Sequence, residues 1–188
     1  EQAQAVEKMK KLGLNVIPVE PGDFEGLFRS VTEIGNACGK SKEASELVRN
    51  MRRSLDSLKA KVSGIDKPLR PKVYFEIWND PVMTAGKGSF IDEMITIAGG
   101  INIADDTGRP FSQFSAELVV ERDPDVIILG YMAGGPSAAG LVGKRLGWSG
   151  IKAVKAGKVY DDIDPDTLFR PGPRLIDGVK ALNDRFYR

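Results

Sequence analysis

The run Val126-Ile127-Ile128-Leu129, entered through the rigid corner Asp123-Pro124-Asp125, constrains this chain more than any other feature. Four consecutive apolar residues with no polar alternation describe a strand buried on both faces, and such a strand needs helices above and below it. The surrounding sequence supplies them. From Lys72 onward, strand-like and helix-like segments alternate: a strand at 72–78, a helix at 89–98 closed by Gly99-Gly100, and a short strand at Asn102–Ala104. Then come a loop, a helix near Ser115–Arg122, the 126–129 run, a Gly/Ala/Ser-rich stretch over 130–143 and a short helix at Ile151–Ala156. Strand Val159-Tyr160 follows, and a last helix near Pro173 carries Leu175, Ile176, Val179, Leu182 and Phe186 on one face. This order predicts an α/β fold: a mostly parallel, open sheet with helices on both sides.

Upstream, a helix over 2–12 ends at Gly13, a strand is expected over Leu14–Val19, and a second helix runs from about Phe24 to Ala37 before Gly39. Ser41 reads as the N-cap of the longest helix, with Ala44, Leu47, Val48, Met51, Leu55, Leu58 and Val62 at steps of three and four. About six turns of helix span roughly 33 Å. The opposite face holds Arg49, Arg52, Arg53, Lys59 and Lys61, and the interspersed Glu46 and Asp56 favour a solvated face over a basic groove. Gly64 to Pro71 reads as a boundary. The expected organisation is therefore a residual α-β-α piece over 1–40, a long connecting helix over 41–64 and an α/β lobe over 65–188.

Composition excludes several functions. The 188 residues include 27 basic and 26 acidic side chains, a net charge of +1, so no global field draws nucleic acid. With no histidine, serine–histidine or cysteine–histidine catalysis is absent from this chain, and a zinc site would rest on Cys38 and carboxylates alone. No apolar run approaches the roughly 18 residues of a membrane span. The chain opens at Glu1 rather than Met, which points to an upstream piece having been removed.

Three motifs suggest ligands. Ala85-Gly86-Lys87-Gly88-Ser89 resembles a phosphate loop, yet Pro81 stands where the first glycine belongs and Gly88 where Ser or Thr belongs. Backbone N–H groups and Lys87 facing an anionic ligand edge, or a simple turn, remain as readings. Asp162, Asp164 and Asp166 alternate as in a calcium loop, but Thr167 replaces the glycine and Pro173 the twelfth-position glutamate, which favours a solvated turn. Arg170-Pro171-Gly172-Pro173-Arg174 places two arginines around a rigid turn that enters a helix. Trp78, Tyr131 and Phe169 each follow a predicted strand, so a parallel sheet gathers them at one end as an aromatic lining.

The order of these pieces resembles the substrate-binding proteins of ABC importers for cobalamin, haem and iron-siderophores. The resemblance runs through Lys72–Trp78, Thr84–Phe90, Ile97–Ile103, Ser115–Glu117 with Asp123–Ile128, and Arg170–Arg174. The cobalamin-binding branch is nearest through Trp78–Phe90, although Thr167 stands where a cobalamin binder places an aromatic. The resemblance implies two lobes joined by a rigid helix, with an extracytoplasmic protein holding a metal-chelate ligand between the lobes and delivering it to a permease. It implies no enzyme activity, cofactor or protein-bound metal. Ligand contacts would come from Trp78, Asn79, Lys87, Tyr131, Phe169, Arg170 and Arg174, and permease docking from Glu117. The loop at 131–147 departs from the family pattern, carrying Lys144 and Arg145 instead of a carboxylate. Because the first lobe should supply several strands before residue 1, either the chain is a fragment or a second chain completes the lobe. Self-assembly through strand 14–19, without ligand binding, is the alternative.

Overall fold

The computed structural model describes residues 2–131 and 138–188; the stretch 132–137, within the Gly/Ala/Ser-rich segment singled out above, lies outside the described residues. The chain divides into two compact units, residues 1–48 and 49–188, and the division falls inside the longest helix.

The first unit holds α1 (Gln2–Lys11), α2 (Phe24–Ala37) and the start of α3 (Ser41–Ser63). Asp23 caps α2 by accepting the amide of Gly26 at 2.6 Å. The carbonyl of Lys40 accepts the amide of Ala44 at 3.0 Å, so Lys40 holds the cap position of α3, and Ser41, expected there, is its first helical residue. The strand expected over Leu14–Val19 does not form. A strand exists only as one side of a ladder, and among the described residues none lies beside this segment. Leu14, Ile17 and Val19 are exposed along it.

The second unit is built on a sheet of six strands among the described residues. They are β1 (Lys72–Asn79), β2 (Val82–Ala85), β3 (Ile101–Asn102), β4 (Phe111–Gln113), β5 (Val126–Leu129) and β6 (Val159–Tyr160). Their order is β4-β2-β1-β5-β6, with β3 beside the start of β1. Pairings of β1 with β3, β1 with β5 and β5 with β6 are parallel; β1 with β2 and β2 with β4 are antiparallel, so the sheet is mixed. Strands β2 and β4 occupy segments read from sequence as loop. Val82 to Ala85 folds back on β1 through the two-residue turn Asp80-Pro81, whose peptide bond is cis. The pairing is secured by the Thr84 hydroxyl, which donates to the Phe75 carbonyl at 2.8 Å.

Side chains of β1 alternate between two layers. Tyr74 and Glu76 face the layer made by α5 (Ala116–Arg122), α6 (Ala138–Val142) and α7 (Lys152–Lys155), together with Trp148. Val73 and Phe75 face the layer of α4 (Phe90–Ile97), α8 (Asp166–Phe169) and α9 (Leu175–Phe186). All four residues of β5 are buried, as a strand covered on both faces must be. The corner before β5 sets its register: Asp125 exchanges two bonds of 2.9 Å with the backbone of Lys72, and the Asp123 carboxylate accepts the Lys152 amide at 2.8 Å. Helix α3 buries Met51, Leu55, Leu58 and Val62, and Arg70 staples its end by donating to the carbonyls of Val62 and Ile65.

Helix α9 reaches its partners because Gly178 carries no side chain. A Cβ there would stand 2.1 Å from the Thr167 carbonyl oxygen and 2.7 Å from Met94 Cε. The first neighbour is backbone and cannot rotate away. Gly178→Ala is therefore expected to destabilise the protein by about 1–3 kcal/mol through overpacking. A denaturant midpoint equal to that of the wild type would refute this account of the α8–α9 contact.

Candidate ligand-binding rim

The carboxyl ends of β1 and β5 lie side by side, since Glu76 pairs with Leu129 and the Gly130 amide donates to the Glu76 carbonyl at 2.9 Å. That register brings Trp78 and Tyr131 together, with ring centroids 6.1 Å apart and planes at 61°. Trp78 is 53% exposed, and its indole N–H donates to the Asp80 carbonyl at 2.9 Å, which holds the ring over the hairpin turn. Phe169, 37% exposed at the end of α8, packs edge-on against Phe75 at 6.0 Å. It comes close because residue 130 is glycine: a Cβ there would be 2.5 Å from Phe169 and 2.6 Å from Phe75. Of the three aromatic side chains expected to converge, Trp78 and Tyr131 meet, and Phe169 packs beside Gly130 against Phe75, in the layer of α4, α8 and α9.

Beneath them sits a group that sequence reasoning did not single out. Glu76, wholly buried in the middle of the sheet, receives four donors. Arg145 donates from Nη1 to Oε2 at 2.6 Å and from Nη2 to Oε1 at 2.8 Å, a two-pronged pairing. The Tyr131 hydroxyl donates to Oε1 at 2.5 Å and the Tyr74 hydroxyl to Oε2 at 3.2 Å. Arg145 also donates to the Tyr131 oxygen at 3.2 Å, and its guanidinium lies 4.5 Å from the ring centre of the buried Trp148. The one available signal was an acid interrupting the apolar strand Val73-Tyr74-Phe75-Glu76-Ile77; its partner lies 69 residues away, beyond any local pattern.

The polar residues expected around the rim are distributed differently. Asn79 ends β1 on the exposed side of the hairpin. Arg170 and Arg174 follow α8, but each is held by a carboxylate of the alternating triplet: Arg170 Nε to Asp166 at 2.6 Å, and Arg174 to Asp164. Asp162 pairs with Arg185 at 2.6 Å. The triplet thus serves arginines, and no group of three or more acids or cysteines is placed to hold a metal ion among the described residues. Lys87 is not at the rim. Strand β2 runs back along β1, so the turn after it is carried toward the starting end of β1. There Lys87 lines a cavity of about 450 Å³ with Lys67, Arg70 and Ile101. The phosphate-loop reading of this turn fails for a physical reason. The Gly86 amide bonds the Pro110 carbonyl, that of Gly88 the Asp92 carboxylate, and that of Ser89 the Gly86 carbonyl. Glu117 stands exposed in the first turn of α5, whose N-cap Ser115 accepts the Leu118 amide.

Burial first, and then the neighbouring Glu76 carboxylate, push the Tyr74 and Tyr131 phenols well above the ordinary tyrosine range; burial raises Tyr187 as well. Folded-state values above the unfolded value of about 10 mean that stability is fully present below that pH and is lost as pH rises beyond it. The denaturant midpoint is expected to stay level from pH 7 to 9 and to fall above 10, less steeply in a Tyr74→Phe/Tyr131→Phe double variant. An unchanged slope in that variant would overturn the assignment. Arg145→Ala leaves a fully buried carboxylate without its cation and is expected to cost about 3–5 kcal/mol. Glu76→Ala should cost less, because the Arg145 side chain is already 26% exposed and can turn to water. Equal losses measured by chemical denaturation would contradict this asymmetry.

Residues 2–166 match the model of the periplasmic binding protein family. A Bacillus subtilis (strain 168) protein named an uncharacterized ABC transporter substrate-binding lipoprotein, YvrC, is 37% identical over 188 residues, covering 98% of this chain and 58% of that protein. A cobalamin-binding protein of Halobacterium salinarum is 27% identical over 187 residues, covering 97% of this chain and 50% of its own length. The chain thus spans about half the length of the curated relatives it matches. Among solved structures, a possible iron-binding (periplasmic solute-binding) protein from Staphylococcus epidermidis superposes with a TM-score of 0.85 at 27% identity, over 99% of this chain and 71% of that one. The chain belongs to the periplasmic binding protein family.

Proposed function

We propose that this chain is part of the extracytoplasmic solute-binding component of an ABC importer, and that it binds a large, flat metal chelate of the cobalamin, haem or ferric-siderophore class without transforming it. The observation that carries the reading is the aromatic pair Trp78 and Tyr131, 6.1 Å apart just past the carboxyl ends of the adjacent strands β1 and β5, with Phe169 at the end of α8 packed beside Gly130. Apolar rings with a few polar neighbours are what a broad, mostly apolar ligand face requires. Asn79 would orient the ligand from the hairpin, and Arg170 and Arg174 from the turn after α8. The names of the relatives support the same class, and Glu117 would meet cationic side chains of a permease.

Calorimetric titration of the full-length protein with cyanocobalamin, haem and a ferric hydroxamate tests this directly; silence toward all three would reject the reading. With whichever binds, Trp78→Ala is expected to weaken affinity about tenfold, or about 1.4 kcal/mol. Lys87→Ala should leave affinity within about twofold, because Lys87 faces a different cavity. Glu117→Arg should keep ligand affinity while abolishing stimulation of the permease ATPase, and intact stimulation would remove Glu117 from the docking surface. A second reading, self-association through residues 14–19, is favoured by the exposure of Leu14, Ile17 and Val19. A monomeric mass by light scattering would dispose of it.

A further inference from the structure

We infer that the Glu76–Arg145 ion pair is the positioning element of the aromatic rim: it fixes Tyr131 against Trp78, so that two residues buried beneath the rim set ligand affinity without touching ligand. The inference rests on the reading above that the rim takes the ligand.

Four observations support it. Tyr131 and Arg145 come from two points 14 residues apart in the chain, and both bond Glu76, so a single carboxylate gathers them. The carboxylate is anchored, because β1 is bonded on one edge to β2 and β3 and on the other to β5 and both of its oxygens accept hydrogen bonds. Arg145 is anchored as well, since its planar guanidinium is forked onto Glu76 on one side and rests on the Trp148 ring, itself edge-on to Tyr74 at 5.9 Å. Tyr131 is the only member of this network whose ring also meets an exposed aromatic at the rim, and its hydroxyl has no bond except to Glu76 and Arg145 among the described residues. A phenol held at its far end by two anchored groups has lost its rotamer freedom before any ligand arrives. Tyr131 is itself only 9% exposed, so it acts as a fixed backing for the exposed Trp78 ring, which is then presented at a lower entropic cost. A purely structural role is the competing account. A buried ion pair is a weak source of stability compared with well-packed apolar residues of similar volume, so stability alone gives little reason for one here.

Tyr74 supplies the internal control. It donates to the same carboxylate, but its ring is buried against Phe114 and Trp148 and does not reach the rim. The experiment compares Arg145→Lys, Tyr131→Phe and Tyr74→Phe in the full-length protein, measuring Tm and the calorimetric Kd for cyanocobalamin, haem and a ferric hydroxamate. Arg145→Lys keeps the charge but loses the fork, and Tyr131→Phe keeps the ring but loses the tether. Each is expected to weaken binding about tenfold, and the double variant no more than the weaker single, because both break one linkage. Tyr74→Phe is expected to lower Tm and to leave Kd within about twofold. A Kd that follows Tm across all three variants, or one unchanged in Arg145→Lys, would overturn the inference. If the wild type binds none of the three probes, the functional reading falls, and tyrosine ring-flip rates from selectively labelled NMR decide the positioning role. Slow flipping of Tyr131 in the wild type and fast flipping in Arg145→Lys would uphold it; equal rates would overturn it.

Discussion

A full negative charge in the centre of a sheet is the constraint around which the second unit of this molecule is arranged. Glu76 has no contact with water, and an unpaired carboxylate in that position is costly enough to preclude the fold. It is made tolerable by a cation and two phenols, every one of which must be delivered from outside the local chain or from the strand itself. Tyr74 arrives through the two-residue period of β1, which places residues 74 and 76 on the same face. Tyr131 arrives because β5 is in parallel register with β1 and ends two residues before it. Arg145 arrives on the segment that follows α6, with Trp148 as the platform under its guanidinium. A sheet slipped by one residue would turn Glu76 into the apolar layer of Val73 and Phe75, so the same interaction that burdens the core also selects its register.

Much of this fold was legible in sequence because most of its elements obey local periodicity. The helices at 24–37, 41–63 and 90–97 and the apolar run at 126–129 follow from spacing, caps and glycine stops. What was not legible depends on partners. Leu14 to Val19 has strand composition but, among the described residues, nothing beside it to complete a ladder, whereas Val82 to Ala85 and Phe111 to Gln113, four and three residues long, become strands because β1 and β2 offer them edges. The same hairpin relocated Lys87. Read as one loop, residues 79–89 place the lysine beside Trp78; folded as a turn, a returning strand and a second turn, they send it to the other end of β1.

The candidate site divides along the same line. That Trp78 and Tyr131 lie together was legible because the ends of adjacent parallel strands converge, a rule of topology that needs only the order of elements. Their support was missed because an acid inside an apolar strand declares a need without declaring its partner. The three aspartates after β6 make the complementary point. Their alternation imitates a cation loop, yet each is answered by an arginine, Asp162 by Arg185, Asp164 by Arg174 and Asp166 by Arg170. Carboxylate spacing alone does not separate a metal site from a set of ion pairs; the positions of the nearest guanidinium groups do.

Rigidity and recognition then become one problem. A flat chelate gains from an aromatic surface mainly through apolar area and ring contact, interactions with little directional preference that discriminate poorly by themselves. Discrimination has to come from where the rings are held and from the few polar groups beside them. Trp78 is held through its indole N–H on Asp80, Phe169 through the space left by Gly130, and Tyr131 through its hydroxyl on a buried charge. Of these three, the last is the tightest constraint, since moving the ring means stretching a hydrogen bond to a carboxylate that cannot follow. An apolar residue at position 76 would pack the sheet equally well but would leave that phenol without a fixed acceptor. The charge in the core is thus best understood by what it does at the surface, where it converts one ring of a generic aromatic edge into a fixed one.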